Sequence, residues 1–214
     1  MANQNKVSGL TPVKYLSGAD WDGRGNIYHI DSGDTNAYYQ GDPVSLKAGT
    51  ASIAGEDVGL QTLTVGQVGA ANVGVILAVG TNPRGGPYID PNNLTLTAAP
   101  ATKVVPYYAL VADDPSIIFE IQEQGAGSVL TVAATSKNAN FALAAPATGV
   151  AVSGAYLNNA TAPATTATMN LKLLGLAQRL DPQSVAYNAY GLYAKWLCLL
   201  NNHYYGVYGG RTGI

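Results

Sequence analysis

Tyr107-Tyr-Ala-Leu-Val-Ala-Asp-Asp-Pro-Ser-Ile-Ile-Phe-Glu-Ile-Gln122 is the stretch on which the fold turns. Its second half alternates. Ile117, Phe119 and Ile121 fall on one side, Glu120 and Gln122 on the other, which is the period of two that marks a β-strand with one inward face. Asp113-Asp114-Pro115 is a turn signal, because Asp carboxylates accept from nearby backbone N–H groups and Pro fixes φ. Upstream, Lys103 to Ala112 is apolar. Pro106 predicts an edge or a bulge in the middle of that run, since proline cannot donate to a ladder.

Working outward, strand signals recur at short spacing. Asn26-Ile-Tyr-His-Ile-Asp31 ends at a Ser-Gly-Asp turn, and Pro43-Val-Ser-Leu46 follows Gly41-Asp42. Val58 to Val65 mixes Val, Leu and Thr. Val73 to Val79 is a continuous apolar run, as expected of a strand buried on both faces. Leu94-Thr-Leu-Thr97 alternates, and Ser128 to Ala133 and Val150 to Val152 are weaker strand candidates. Thr168 to Leu174 alternates again, with Met169, Leu171 and Leu173 on the inner face. Over 183–200, Gly191 and the aromatics at Tyr187, Tyr190, Tyr193 and Trp196 favour a loop followed by a strand from Tyr193 to Leu200.

The predicted fold class is therefore all-β: a single β-sandwich or jelly-roll-like barrel over residues 26–214, preceded by an extended N-terminal arm, residues 1–25. The arm has no clean period and is punctuated by Gly9, Pro12, Gly18, Gly23 and Gly25. Its candidate anchors on a neighbouring molecule are Leu10, Val13, Tyr15, Leu16 and Trp21. An edge strand plus loop of the main domain is the alternative for the same residues. Ala-Pro-Ala-Thr occurs at 99–102, 145–148 and 162–165, at unequal separations that make no solenoid period.

Composition narrows the function classes. Charged residues are 11% of the chain, against about 25% in an average globular protein. That suits a neutral polar surface, or one covered by other subunits. The net charge of −2 leaves no footprint for nucleic acid. Residues 1–123 carry twelve acids and six bases, whereas residues 124–214 carry Asp181 against Lys137, Lys172, Arg179, Lys195 and Arg211. The lone Cys198 lies in an apolar run and reads as a small buried hydrophobe. With no signal-peptide core at Met1 to Lys6 and no apolar stretch of membrane length, we expect synthesis in a reducing cytoplasm and no membrane partner.

No G-x-S-x-G, P-loop, G-x-G-x-x-G or H-E-x-x-H motif occurs. Two histidines are present. His29 and Asp31 share one face of a predicted strand, an arrangement that orients a base or starts a metal site, or else is an exposed pair with no role. His203 reads as a hydrogen-bonding loop residue. Asp20, Asp22, Asp31, Asp34 and Asp42 suit a hard cation, although turn formation explains most of them. A glycan hydrolase needs two opposed carboxylates, and Glu120 and Glu123, three apart, point to opposite faces. No catalytic residue, metal or cofactor is expected.

The aromatic balance points to binding. There are 14 Tyr and 2 Phe, and tyrosine suits wet interfaces because it buries a ring while keeping its hydroxyl paired. Tyr38, Tyr39, Tyr204, Tyr205 and Tyr208 are the candidate interface aromatics, as protein contacts or as stacking platforms for sugar rings.

Several blocks resemble a group of tailed-bacteriophage virion proteins: Ala2-Asn-Gln-Asn-Lys-Val-Ser-Gly-Leu-Thr-Pro-Val-Lys-Tyr-Leu-Ser-Gly18, Tyr108 to Glu123, Asn138-Ala-Asn-Phe141, Ala194-Lys-Trp-Leu197 and Leu200-Asn-Asn-His-Tyr204. The resemblance is to capsid decoration, or cement, proteins. It implies a non-enzymatic β-fold on the capsid exterior of the virion. Its partners would be the major capsid protein and copies of itself, as a dimer or trimer, and its task would be to stabilise the shell. The alternative is a carbohydrate-binding, lectin-like head protein. Residues 47–105 lie outside the resemblance.

Overall fold

The computed structural model describes residues 3–47, 60–81, 96–178, 180–181, 186–206 and 210–213. Its strands are β1 (Thr11–Tyr15), β2 (Asn26–Ile30), β3 (Tyr38–Tyr39), β4 (Pro43–Leu46), β5 (Leu63–Val65), β6 (Gly74–Thr81), β7 (Ala98–Ala99) and β8 (Tyr107–Ala112). There follow β9 (Ile117–Gln122), β10 (Asn138–Ala139), β11 (Phe141–Ala142), β12 (Tyr156–Leu157), β13 (Leu171–Leu176), β14 (Leu180–Asp181), β15 (Ala186–Tyr187) and β16 (Lys195–Leu200). The fold is almost all β, with no α-helix among the described residues and no closed barrel, consistent with a sandwich.

Two five-stranded antiparallel sheets carry the structure. Sheet I has the order β1-β9-β16-β13-β10 and sheet II the order β2-β8-β6-β4-β5. The Asp113–Ser116 turn passes the chain from β8 in sheet II to β9 in sheet I. Asp114 fixes that turn by accepting from the Ser116 amide (2.7 Å) and hydroxyl (2.6 Å). Among the described residues, the edges of sheet II approach each other at the isolated His29–Thr62 bridge.

Burial follows from the pairing. In sheet I, Phe119, Cys198 and Leu173 are in register, as are Ile121, Trp196 and Leu176, and all face the core. Sheet II is covered on both faces. Val75 and Ala112 join the core shared with sheet I, while their neighbours Ile76 and Val111 join a second cluster with Tyr28, Ile30, Tyr38 and Leu63. Successive residues of a strand point oppositely, so the run 73–79 is apolar throughout because both its faces are buried. Pro106 immediately precedes β8, which is a central strand; the missing donor lies just outside the ladder, and the expected edge or bulge does not form there.

Other expectations are corrected. Val132–Ala134 is a 3-10 turn, not part of a strand. Met169 is half-buried in the turn before β13, and Asn170 takes the buried position. Val152 makes only an isolated bridge with Gln40. Parts of the expected strands at 58–65 and 94–97 lie outside the described residues.

For the N-terminal segment the structure shows the edge strand, the second of the two readings, in place of the extended arm. Residues 11–15 form an edge strand of sheet I, paired with β9, and Leu10 is in the core at 1% exposure. Gly9 (φ +69°) and Gly41 (φ +92°) let two segments of the chain cross at close range. A Cβ on Gly9 would collide with the Gly41 carbonyl, and one on Gly41 with the Ser8 carbonyl. At this crossing the Leu10 amide donates to Gly41 O at 2.9 Å. Farther upstream, Lys6 N donates to Gln122 Oε1 and the Asn3 amide donates to Ala189 O and Leu192 O. Apolar burial at Leu10 and ladder bonds along β1 thus tie the segment to its own domain.

Leu10→Ala should therefore cost about 2–5 kcal/mol, as for other buried leucines. Urea unfolding followed by tryptophan fluorescence measures it. A midpoint unmoved by the substitution would mean that residues 1–25 are detached after all.

Candidate functional site

The candidate catalytic groups are occupied elsewhere. His29 Nδ1 lies 3.1 Å from Thr62 Oγ1. Asp31 accepts from the Gly33 amide and pairs with Lys47 at 3.2 Å, and these two partners hold its carboxyl below the usual range. Glu123 is fully buried. It accepts from Leu130 N (2.8 Å), Asn159 Nδ2 (2.9 Å) and Trp196 Nε1 (3.0 Å), which makes it a core tie between β9, β16 and two loops. Glu120 is on the other face of β9, so the two carboxyls do not face one another across a cleft. Burial pushes the Cys198 thiol well up. Among the described residues no group of three or more His, Cys, Asp or Glu side chains is placed to hold a metal ion.

The acidic cluster serves turns and tyrosines. Asp34 accepts from Tyr38 OH (2.6 Å) and from the Asn36 backbone and side chain. Asp22 accepts from Tyr15 OH and pairs with Arg24. Asp113 accepts from Tyr28 OH at 2.6 Å. These Asp–Tyr pairs explain part of the preference for tyrosine over phenylalanine: the hydroxyl is needed inside the protein. Tyr38 is accordingly buried in the core and is not an interface residue, and its strand neighbour Tyr39 is half-buried. Tyr208 lies outside the described residues.

The five arm anchors also divide. Leu10 is internal, and Tyr15 and Trp21 pack against the shared core. Val13 and Leu16 stay in solvent, at 41% and 59% exposure. A register shift between Pro12 and Lys14 turns Val13 out of the alternation.

Tyr204 and Tyr205, at 41% and 50% exposure, lie in the turn after β16, and this turn is where the surface features converge. Asn201, His203 and Gly206 border a groove of about 480 Å³ with apolar walls at Leu16, Pro115, Leu174 and Leu199 and cations at Lys172 and Arg211. Tyr205 borders a depression of about 490 Å³ with Asn26, Tyr28, Gln61 and Asp113. Asn202 and Tyr204 border a third, of about 720 Å³, beside Lys47 and Gln67. Sequence reading found the tyrosines but neither Asn26, Gln61 and Asp113 nor the groove, because these residues come from different strands and no local pattern links them.

The turn is held from inside. Asn72 N donates to Asn202 O (2.9 Å) and Tyr204 N to Asn72 O (3.0 Å). His203 Nδ1 accepts from Tyr205 N at 3.0 Å, which leaves the proton of the neutral ring on Nε2. Burial lowers the His203 pKa to about 4, against an opposing pull from Asp113 and Asp114. Asp42 is shifted the other way, up to about 6 by burial, with Ser153 and the Tyr39 amide opposing.

No family model, no curated protein and no solved structure matches this chain.

The pH dependence has a definite sign. An unfolded histidine titrates near 6.5, so as pH falls from 6.5 to about 4 the unfolded chain gains the His203 proton first and stability is lost. The loss amounts to about 3–4 kcal/mol, at ~1.4 kcal/mol per pH unit. Asp42 contributes oppositely, gaining stability as pH falls from about 6 to 3.8, so the net curve hides both. The expected outcome is an imidazole resonance of His203 titrating near 4 by NMR, and acid destabilisation weaker in His203→Asn than in the parent. A midpoint near 6.5 would refute it.

Proposed function

We propose that this chain is a structural virion protein that binds the outer surface of a tailed-phage capsid and stabilises the shell. It acts without catalysis, cofactor or contact to nucleic acid or membrane. Its partners are the major capsid protein and, in symmetric dimers or trimers, its own copies. The resemblance of blocks across the chain to decoration proteins motivates this reading. No described helix is long and apolar enough to cross a membrane.

The observation that carries it is the pair Val13 and Leu16, apolar side chains held in water at the edge of sheet I, with Leu16 forming a wall of the apolar groove. No acid is among the groove's described lining residues, while Lys172 and Arg211 are. The occupant it fits is an outward-facing segment of the capsid protein presenting an apolar side chain beside a carboxylate.

A clamp that orders on docking loses roughly 1–2 kcal/mol of backbone entropy per residue. Here β1 is already ordered by its own sheet, so the contact is preorganised. Covering the two side chains yields on the order of 1 kcal/mol each, since both are already partly buried. A single copy binds weakly on these two contacts, and linked copies on a symmetric shell multiply the effect.

Co-sedimentation with expanded empty capsids tests it. The parent protein should saturate the shell, and the double variant Val13→Asp/Leu16→Asp should lose at least about tenfold in affinity with an unchanged circular dichroism spectrum. Tyr187→Ser, altering an exposed side chain in β15, should bind as the parent does. Parent protein that stays in the supernatant, or an undiminished double variant, would sink the proposal.

A further inference from the structure

We propose that the depression formed by Asn26, Gln61, Asp113, Asp114 and Tyr205 is a saccharide-binding site for a neutral pyranose ring or glycan end. The proposal is independent of capsid attachment and rests on the chemistry of the lining.

The site brings both sheets together. Asn26 opens β2, Asp113 follows β8, Gln61 precedes β5 and Tyr205 comes from the turn after β16. Asn26 Nδ2 spans the two oxygens of Asp113 at 3.0 and 2.9 Å, and Tyr28 OH donates to Oδ2 at 2.6 Å. Tyr28 keeps its proton, because burial and the bond to Asp113 both oppose ionisation. With that proton engaged, the Tyr205 hydroxyl, 3.1 Å from Tyr28 OH, donates to Gln61 Oε1 at 2.9 Å. The groups are thereby fixed before any ligand arrives, and preorganisation is what makes a small polar ligand bindable.

The fixed pattern selects a ligand class. A cation is disfavoured, because the Asn26 amide and the Tyr28 hydroxyl point donors at the carboxylate it would need. An anion meets Asp113 and Asp114 together. An apolar ligand would leave two amides, two carboxylates and two hydroxyls without water. Sugar hydroxyls both donate and accept, so they satisfy a carboxylate and an amide side by side, while the half-exposed ring of Tyr205 offers an apolar face to sugar C–H groups. The volume of about 490 Å³ lies in the ~300–1,000 Å³ range of small-ligand clefts.

The test is amide NMR titration of the full chain with methyl glucoside, methyl galactoside, methyl mannoside and N-acetylglucosamine, each to about 50 mM, a range suited to millimolar affinity. Uracil and CaCl₂ serve as a planar and a cationic probe. At least one sugar should give saturable shifts at Gln61, Asp113 and Tyr205. Tyr205→Ala should weaken that sugar about tenfold or more with an unchanged circular dichroism spectrum, and Tyr187→Ala should leave it unchanged. No saturable shift with any sugar would overturn the site. So would the same shifts with uracil or Ca²⁺ alone, or full sugar affinity in Tyr205→Ala.

Discussion

Asn170 ties one sheet to the other beside their shared apolar core. Standing just before β13 of sheet I, it donates from Nδ2 to Gln67 O (2.9 Å) and Ala70 O (3.0 Å) and accepts at Oδ1 from Gly69 N (2.9 Å), all in the loop between β5 and β6 of sheet II. The constraint behind it governs the whole chain. Much of the backbone is neither helix nor ladder, and its buried peptide groups must still be paired. Asparagine is suited to this, since its amide copies a peptide group on a short stem. Asn188 ties Ala177 O to both backbone polar groups of Lys195, and Asn201 bonds Ala167 O, Met169 O and Arg211 N. Asn138 takes Thr166 O and Arg211 O. Each such bond is worth only about 1 kcal/mol net, but a buried partner left unpaired costs about 1–3 kcal/mol. The apolar clusters supply the drive to collapse, and the asparagines decide which loops lie where.

That division explains what could be read from the sequence. β9 was legible because its alternation is unbroken, and so were the turn before it and β16, whose Trp196, Cys198 and Leu200 point inward in step. β1 was not. The register shift at Pro12/Lys14 breaks the period of two inside a five-residue strand, and its anchoring Leu10 lies outside the strand beside a glycine crossing set by contacts to Gly41. A bulge also interrupts β13 between Leu173 and Gly175, although its first residues still alternate. Over 128–133 the apolar pattern was real, but only Leu130 finds the core, drawn in where its amide meets Glu123. Side-chain-to-backbone ties of this kind carry no periodicity, so no pattern in the sequence predicts them.

The tyrosines show the same limit. A doublet within a strand must split, one ring inward and one outward, as Tyr38 and Tyr39 do. A doublet in a turn need not, and Tyr204 and Tyr205 both reach solvent, on different sides of the turn. Composition alone makes the two doublets equivalent. What separates them is the backbone beneath: β3 buries one face, whereas the turn after β16 is pinned by Asn72 and His203 and throws both rings outward.

Among the described residues, many charged groups are engaged inside the fold. Acids of the first half accept from tyrosines and turn amides. Basic groups cap carbonyls: Lys103 Nζ donates to Asp34 O and Asn36 O over the Tyr38 ring, and Lys172 Nζ to Thr212 O. The ion pairs described, Arg24–Asp22 and Lys47–Asp31, are exposed and contribute about 0–1 kcal/mol apiece. Among the described residues, these charges thus serve local geometry. Under the proposed functions, recognition would rest on short-range fit, from apolar side chains, amides and rings held at fixed positions. That is what the edge of sheet I and the turn after β16 present.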